Sequence, residues 1–301
     1  MPVEQGFIQV EDGLRLWYSM AGDSPNIVVV PDAGWLLEDF EPLFAERTFI
    51  FCDMRGRGAS DPVTDSSQLQ DGYEVRDIEA VRQHFEIERI SLIGWSRLGG
   101  AVALYAIDHP ERVERLVLMC PITPRSDPPY KNSPQREEAL NARINPEGIK
   151  GLEELRKIGI DVTYPAVYCR QHQKVYLARQ FGKPEAFDTK RSDPCEYPNE
   201  WPKNLIDLIA KHPQSGPWDW RPKLTTLQAP VLVVQGDDDV IPLASAQEWA
   251  ATLPNARLLV VPGAGHFPHL EDPELFFPSV DTFLSGQWPE TAQVVRISSS
   301  N

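Results

Sequence analysis

Short apolar runs, mostly rich in β-branched residues, recur along this chain with helix-like segments and turn residues between them. The six runs cover residues 27–30, 49–52, 90–93, 116–120, 231–234 and 258–261. Such alternation is typical of parallel strands that are buried on both faces and joined by crossover helices. The pattern therefore predicts an α/β fold with a mostly parallel central sheet flanked by helices.

Two regions depart from this alternation. Residues 7–10 and 14–19, joined by Glu11-Asp12-Gly13, predict an antiparallel hairpin. Residues 121–222 are rich in proline and poor in β-like runs, which indicates a mainly helical insertion, or cap, between two strands. The predicted organisation is a first core part at 1–121, the helical cap at 122–222, a second core part at 223–288 and a loose tail at 289–301.

The charge balance restricts the partners of this chain. The formal net charge is −15, so nucleic acid and anionic lipid surfaces would be repelled. The apolar runs are too short to span a bilayer, and the first residues carry no signal-peptide pattern. We therefore expect a cytoplasmic protein, monomeric or homodimeric, that acts on a small molecule and binds neither nucleic acid nor membrane.

The cysteines and histidines do not show the spacing of a metal site. No C-x-x-C pair occurs, and the histidines outside the segment 265–273 are scattered. Cys52 and Cys120 end apolar runs and are predicted to be buried thiols, whereas Cys169 and Cys195 can pair only if the fold brings them together. We expect no metal and no organic cofactor.

Three predicted loops, each directly after a strand, carry a serine, an acid and a histidine in that chain order. Ser96 lies in the segment GWSRLGG, the acidic loop is 235–242, and His266 follows the last strand. The carboxyl ends of parallel strands share one edge of a sheet, so these side chains can converge. This chain order is the one that a hydrolase triad on such a sheet requires.

With these motifs the chain resembles the α/β-hydrolase superfamily, and within it the cap-bearing branch of proline iminopeptidase-like enzymes and esterases. Residues 53–61 are similar to that family's D-x-R-G-x-G-x-S turn, residues 265–273 to its histidine loop, and residues 108–113 to the helix end after its nucleophile turn. The resemblance implies an α/β-hydrolase fold with an inserted helical cap, and it extends from about residue 6 to residue 288.

The resemblance also implies a role for each triad residue. Ser96 is the expected nucleophile and His266 the base that takes its proton, with a carboxylate that fixes the imidazole tautomer. Counting from Gly236 selects Asp239 as this acid, and Asp238 remains an alternative. The leucine at position 98, where the motif has glycine, is tolerable if close packing relies on the neighbouring glycines.

A tetrahedral oxyanion needs two N–H donors aimed at it. The backbone of Arg97 is one expected donor, and Ala33 is the best candidate for the other. The family usually has His-Gly in that loop, whereas this chain has Pro31-Asp32-Ala33-Gly34, and an ionised Asp32 would repel the developing anion. Trp35 and Trp95 flank the site in sequence and are candidate walls of the substrate pocket.

The leading hypothesis is a serine hydrolase that cleaves a small or medium ester, or an amide. One alternative is a cofactor-independent dioxygenase or lyase-like use of the same triad, and another is a non-catalytic ligand-binding protein. Cap residues 195–201 combine carboxylates with aromatic rings, as in a site for a substrate ammonium, but a solvated loop is the simpler interpretation. His269 is expected to make a structural contact or to line the entrance.

Overall fold

One eight-stranded sheet runs through the part of the chain that this computed structural model describes, residues 3–70, 72–212 and 217–296. The strands are β1 Val3–Gln9, β2 Arg15–Ala21, β3 Ile27–Val30, β4 Thr48–Cys52, β5 Ile90–Trp95, β6 Val113–Met119, β7 Val231–Gly236 and β8 Ala256–Val261. Their order across the sheet is β1-β2-β4-β3-β5-β6-β7-β8. The first two pairings are antiparallel and the others parallel, which confirms the predicted hairpin and parallel sheet.

The helices connect the strands or form the insertion after β6. They are α1 Ala33–Leu36, α2 Tyr73–His84, α3 Arg97–Asp108, α4 Pro134–Ala142, α5 Pro146–Lys157, α6 Ile160–Thr163, α7 Pro165–Tyr176, α8 Pro202–Lys211, α9 Arg221–Leu224, α10 Leu243–Thr252, α11 Pro268–Glu271 and α12 Pro273–Leu284. Short 3₁₀ helices occupy Glu41–Leu43, Ser66–Leu69, Pro110–Arg112, Leu177–Gln180, Pro184–Thr189, Pro194–Glu196 and Pro198–Glu200. No helix in the described ranges is both long and apolar enough to cross a membrane.

Apolar side chains pack on both faces of the sheet. In β3, Val29 belongs to the cluster that includes α2, α3 and α10, whereas Val28 and Val30 belong to the cluster that includes α1 and α12. Successive side chains of a strand point to opposite faces, so a strand covered on both sides must be apolar at every position. This burial explains why the sequence shows apolar runs rather than an alternating pattern.

Between β6 and β7, the described residues form helices and no strand. Four of these helices, α4, α5, α7 and α8, begin with proline. Proline suits the first turn of a helix because its missing N–H would have no intrahelical acceptor there. A disulfide joins Cys169 of α7 to Cys195, so the fold forms the pairing that the sequence left open, and Cys52 and Cys120 are buried free thiols as predicted.

The C-terminal segment differs from the loose tail predicted for residues 289–301. Gln293 exchanges two backbone hydrogen bonds with Leu258 of β8, of 2.8 and 2.9 Å, and Ala292 is buried. The edge strand β8 has backbone N–H and C=O groups without a partner strand, and this segment forms hydrogen bonds with those of Leu258. Residues 297–301 of the predicted tail lie outside the described residues, as do residues 1 and 2 of the first predicted core part.

Candidate active site

Ser96 lies on a sharp turn between β5 and α3. Its backbone has φ 53° and ψ −120°, a positive φ that non-glycine residues seldom adopt and that indicates local backbone strain. The turn is held by backbone hydrogen bonds from Ser96 N–H to Met119 O, of 2.9 Å, and from Ile122 N–H to Ser96 O, of 3.1 Å. The hydroxyl is thereby presented at the carboxyl edge of the sheet.

Glycines allow the strand and the helix to approach closely at this turn. A Cβ added at Gly94 would lie 2.6 Å from Val102 Cγ2 and 2.8 Å from Gly99 Cα. A Cβ added at Gly99 would lie 2.9 Å from Pro121. Leu98, in the motif position where glycine was expected, is buried and lines a cavity instead. The missing glycine therefore does not prevent the turn.

His266 follows β8 and is paired with Asp239, which follows β7. The Nδ1 atom of His266 lies 2.9 and 3.0 Å from the two carboxylate oxygens of Asp239. The same carboxylate accepts hydrogen bonds from Gln235 Nε2, of 2.7 Å, and from Ile241 N–H, of 3.1 Å. Both members of the pair are buried, so the ring orientation is fixed and Nε2 is the nitrogen left to face a substrate or Ser96.

Asp238, the alternative acid, has different partners. Its carboxylate forms ion pairs with Arg136 and Arg143 of the insertion, and it does not contact His266. Adjacent residues on a loop direct their side chains differently, and here one reaches the histidine while the other reaches the cap. The geometry therefore singles out Asp239 as the partner of His266.

Ser96 and His266 line the same cavity, which has a volume of about 450 Å³. Among the described residues, no hydrogen bond joins Ser96 Oγ to His266. Such bonds are often long in free enzymes and shorten when substrate binds. The two groups therefore share one site, in which the serine, the histidine and the acid come from three different strand ends.

Several hydrogen bonds hold the histidine loop. Trp95 Nε1 donates a hydrogen bond of 2.9 Å to His266 O, and His266 N–H donates one of 2.7 Å to Gln180 O in the cap. Glu271 accepts hydrogen bonds from Gly265 N–H, of 2.8 Å, and from Lys183 N–H, also of 2.8 Å. Burial raises the pKa of Glu271 to about 7. The cap and the core thus both position the histidine.

The two expected oxyanion donors, the backbone N–H groups of Arg97 and Ala33, lie at the starts of helices α3 and α1. The first N–H groups of a helix have no intrahelical acceptor. In the second loop, Gly34 N–H already donates a 2.9 Å hydrogen bond to Asp53 Oδ1. Ala33 therefore remains the available donor of its loop.

Asp32, directly before Ala33, lines the cavity and is 7% exposed. Burial raises the pKa of its carboxyl to about 7, against the attraction of Arg57. Much of the Asp32 population is then neutral at physiological pH. The repulsion expected from an ionised carboxylate at this position is correspondingly reduced.

The cap carboxylate Glu200 was assigned to a solvated loop, and the structure corrects this interpretation. It is 2% exposed and accepts hydrogen bonds from Arg57 Nε, of 2.7 Å, Arg57 Nη2, of 2.9 Å, Gly58 N–H, of 2.9 Å, and Trp35 Nε1, of 3.0 Å. Burial alone would raise the pKa of Glu200, but the attraction of Arg57 and these donors bring it below its ordinary value. Its acceptor sites are filled, so Glu200 joins cap to core.

The predicted pocket tryptophans, Trp35 and Trp95, both line the cavity, with ring centroids 5.6 Å apart. Further apolar side chains complete the wall. They are Met54, Leu98, Leu177, Leu205, Leu208 and Ile209. The cavity wall is therefore mainly apolar, with charged groups at Asp32, Arg55, Arg57, Glu74, Arg97 and Glu200.

Cys120, Asp239 and His266 place ligand-type atoms within 4.8 Å of one another. Burial raises the pKa of the Cys120 thiol well above its ordinary value, whereas a metal ligand must be the thiolate. Asp239 and His266 are already paired. This cluster is therefore better suited to hydrogen bonding within the triad than to holding a metal ion.

Sequence reasoning did not identify Arg57, Glu200 and Gln180 as parts of the site. Arg57 lies in the recognised glycine turn, and Glu200 lies in a loop noted for its carboxylates and aromatic rings, but each side chain gains its role from a contact distant in sequence. His269 does not line the cavity; it is 1% exposed, and burial lowers its pKa to about 3. It is a structural residue.

Comparison with known proteins agrees with this architecture. The model of the alpha/beta hydrolase family matches residues 27–278. A 2-hydroxy-6-oxononadienedioate/2-hydroxy-6-oxononatrienedioate hydrolase of Paraburkholderia xenovorans strain LB400 is 28% identical over 93% of this chain and 94% of its own length.

Solved structures share the fold. An esterase from Exiguobacterium antarcticum has a TM-score of 0.67 at 20% identity and covers 94% of this chain and 100% of its own. A proline iminopeptidase from Mycobacterium smegmatis has a TM-score of 0.63 at 19% identity and covers 94% of this chain and 98% of its own. The matched family and these neighbours agree with the α/β-hydrolase fold predicted from the motifs.

Proposed function

The chain belongs to the alpha/beta hydrolase family, and on that premise we propose that it is a serine hydrolase acting on a small or medium ester. In this proposal Ser96, His266 and Asp239 form the catalytic triad. The observation that carries it is that His266, paired with the buried Asp239, lines the same cavity as Ser96 on its strained turn.

The reaction follows from the proton-transfer capacity of these groups. His266 Nε2 takes the proton of the Ser96 hydroxyl as the oxygen attacks the ester carbonyl, and Asp239 stabilises the imidazolium through Nδ1. The N–H groups of Ala33 and Arg97 stabilise the tetrahedral oxyanion. His266 then protonates the leaving alcohol, which departs from the acyl-enzyme, and a water molecule activated by His266 releases the acid.

The cavity is better suited to an ester than to an aminoacyl substrate. A volume of about 450 Å³ lies within the range of small-molecule sites, and its walls are mainly apolar. Glu200, the cap carboxylate suited to a substrate ammonium, already accepts four hydrogen bonds. A free ammonium would have to compete with Arg57 for it.

The test is a panel of p-nitrophenyl esters of increasing acyl length, run beside a proline aminoacyl arylamide. The Ser96→Ala and His266→Ala variants should each lower kcat/KM by at least about 10³-fold. Ser66→Ala, which removes an exposed hydroxyl from a short 3₁₀ helix, is the matched control and should behave as the wild type.

Ester hydrolysis that persists in Ser96→Ala would contradict the proposal. Oxygen consumption that survives Ser96→Ala but not His266→Ala would instead indicate dioxygenase use of the histidine. Stabilisation by a small ligand without any turnover would indicate a binding protein.

A further inference from the structure

The carboxyl group of Asp32 is one polar group of the cavity that the proposed triad does not use. It lines the cavity together with Ser96 and His266 and is 7% exposed. Within the described residues it makes no side-chain hydrogen bond and no ion pair. Its residue begins the turn into α1 without capping that helix. When a ligand fills the cavity and excludes water, this carboxyl group needs a hydrogen-bond partner, which the ligand can supply.

Asp32 is adjacent in the chain to one of the proposed oxyanion donors and lines the same cavity as Ser96. It directly precedes Ala33, whose N–H is the available donor of the loop because Gly34 N–H is bonded to Asp53. The cavity that receives the carbonyl group therefore has an acidic side chain beside its backbone donor. An ionised carboxylate there would oppose a developing negative charge, whereas a neutral carboxylic acid can donate a hydrogen bond to it.

The charged neighbours of Asp32 permit the neutral form. Arg57 and Lys190 attract the ionised carboxyl, while Glu200 and Asp53 repel it, and burial raises its pKa to about 7. The guanidinium of Arg57 is paired in bidentate fashion with Glu200, so its charge is largely compensated. Desolvation therefore outweighs the attraction of the cations.

We propose that Asp32, as a neutral carboxylic acid, donates a hydrogen bond to the oxyanion formed at the substrate carbonyl, beside the N–H groups of Ala33 and Arg97. This inference rests on the proposed function, because the oxyanion forms only if Ser96 attacks a carbonyl. It adds a side-chain donor to a site that otherwise uses backbone groups. It also makes catalysis depend on the protonation of Asp32.

Asp32 can donate this hydrogen bond only in its neutral form. The donor is present below a pH of about 7 and is lost as the pH rises and Asp32 ionises. The wild-type kcat/KM for p-nitrophenyl butyrate should therefore fall above this pH, approaching tenfold per pH unit. Lys190 attracts the ionised form, so Lys190→Met should move this fall to higher pH.

The experiment measures kcat/KM for p-nitrophenyl butyrate between pH 5 and pH 9 in the wild type, Asp32→Asn, Asp32→Ala and Lys190→Met. The amide of Asp32→Asn can donate but cannot ionise, so this variant should retain activity and lose the alkaline fall. Asp32→Ala should lower kcat/KM at pH 6 by about 10²-fold. Thermal melting and fluorophosphonate labelling of Ser96 show whether each variant is folded.

The proposal is overturned if Asp32→Ala keeps the wild-type value at pH 6, or if Asp32→Asn keeps the alkaline fall unchanged. It is also overturned if the wild-type rate rises through pH 7 while Asp32→Asn is inactive throughout, because the ionised form would then be the useful one. If Lys190→Met abolishes the alkaline fall of kcat/KM, the fall is due to ionisation of Lys190, and the proposal is overturned. The proposed function itself fails separately, if Ser96→Ala hydrolyses the ester normally.

Discussion

Asp238 and Asp239 are adjacent acids with different tasks. Asp239 is buried against His266, and its oxygens also accept hydrogen bonds from Gln235 and Ile241. Asp238 is a quarter exposed and forms ion pairs with two cap arginines. The sequence alone could rank these residues only by counting along a motif, because the direction of each side chain depends on the turn after β7.

This division predicts different effects for two matched substitutions. Asp239→Asn should lower kcat by about 10⁴-fold, because the amide favours the wrong imidazole tautomer. Asp238→Asn should leave kcat within tenfold and lower the free energy of unfolding by about 1 kcal/mol, the scale of a partly exposed ion pair. Steady-state kinetics and urea unfolding measure the two effects. A larger loss of kcat in Asp238→Asn would contradict the assignment.

At the scale of elements, the strands and turns were predictable and the cap contacts were not. The strands could be predicted because a strand covered on both faces must be apolar, a local property of the sequence. The turn at Ser96 was recognised from the neighbouring glycines, which its close packing requires. The burial of Glu200 was missed because it depends on a contact with Arg57, which is 143 residues away in the chain. No local sequence pattern shows such a contact.

The role of Glu200 as an anchor between cap and core predicts the effect of its substitution. Glu200→Gln keeps the shape but leaves the guanidinium of Arg57 without a counter-charge, so the free energy of unfolding should fall by about 2 kcal/mol. This is less than for a fully buried pair because the Arg57 side chain is 32% exposed. The control is Glu196→Gln, at an exposed position in the same loop, which should change stability by less than about 0.5 kcal/mol. Equal free energies of unfolding in the two variants would contradict the role of Glu200 as an anchor between cap and core.

For the whole molecule, the disulfide bears on the cellular location and the net charge bears on the possible partners. The bond between Cys169 and Cys195 lies within the cap, and disulfides are rare in cytoplasmic proteins. It therefore does not favour the cytoplasmic location predicted from the N-terminal residues. The net charge of −15 remains an argument against nucleic acid as a partner.

His269 couples global stability to pH. Its ring packs near Phe40 and Phe276, with centroids 5.4 and 5.9 Å apart from its own, and neither ring nitrogen has a hydrogen-bond partner among the described residues. Burial lowers its pKa from 6.5 in the unfolded chain to about 3. Below pH 6.5 the unfolded state binds a proton that the folded state does not, so stability is lost as the pH falls toward 3.

The variant His269→Phe removes the titratable imidazole. Its free energy of unfolding should therefore depend less on pH on the acid side. Between pH 7.5 and pH 5.5, the wild type should lose about 1.4 kcal/mol more of its unfolding free energy than the variant. Urea unfolding at the two pH values measures this difference. The raised pKa values of Asp32 and Glu271 act equally in both proteins and cancel. Parallel curves would show that His269 does not remain neutral in the folded state.

In the proposed mechanism Ser96 is a nucleophile that His266 activates. The most direct measurement is intact-mass spectrometry and peptide mapping of the folded protein after reaction with a fluorophosphonate. We expect one adduct per chain, located on Ser96, absent in Ser96→Ala and formed far more slowly in His266→Ala. Folded wild-type protein that stays unlabelled, or that carries the adduct on another residue, would contradict it.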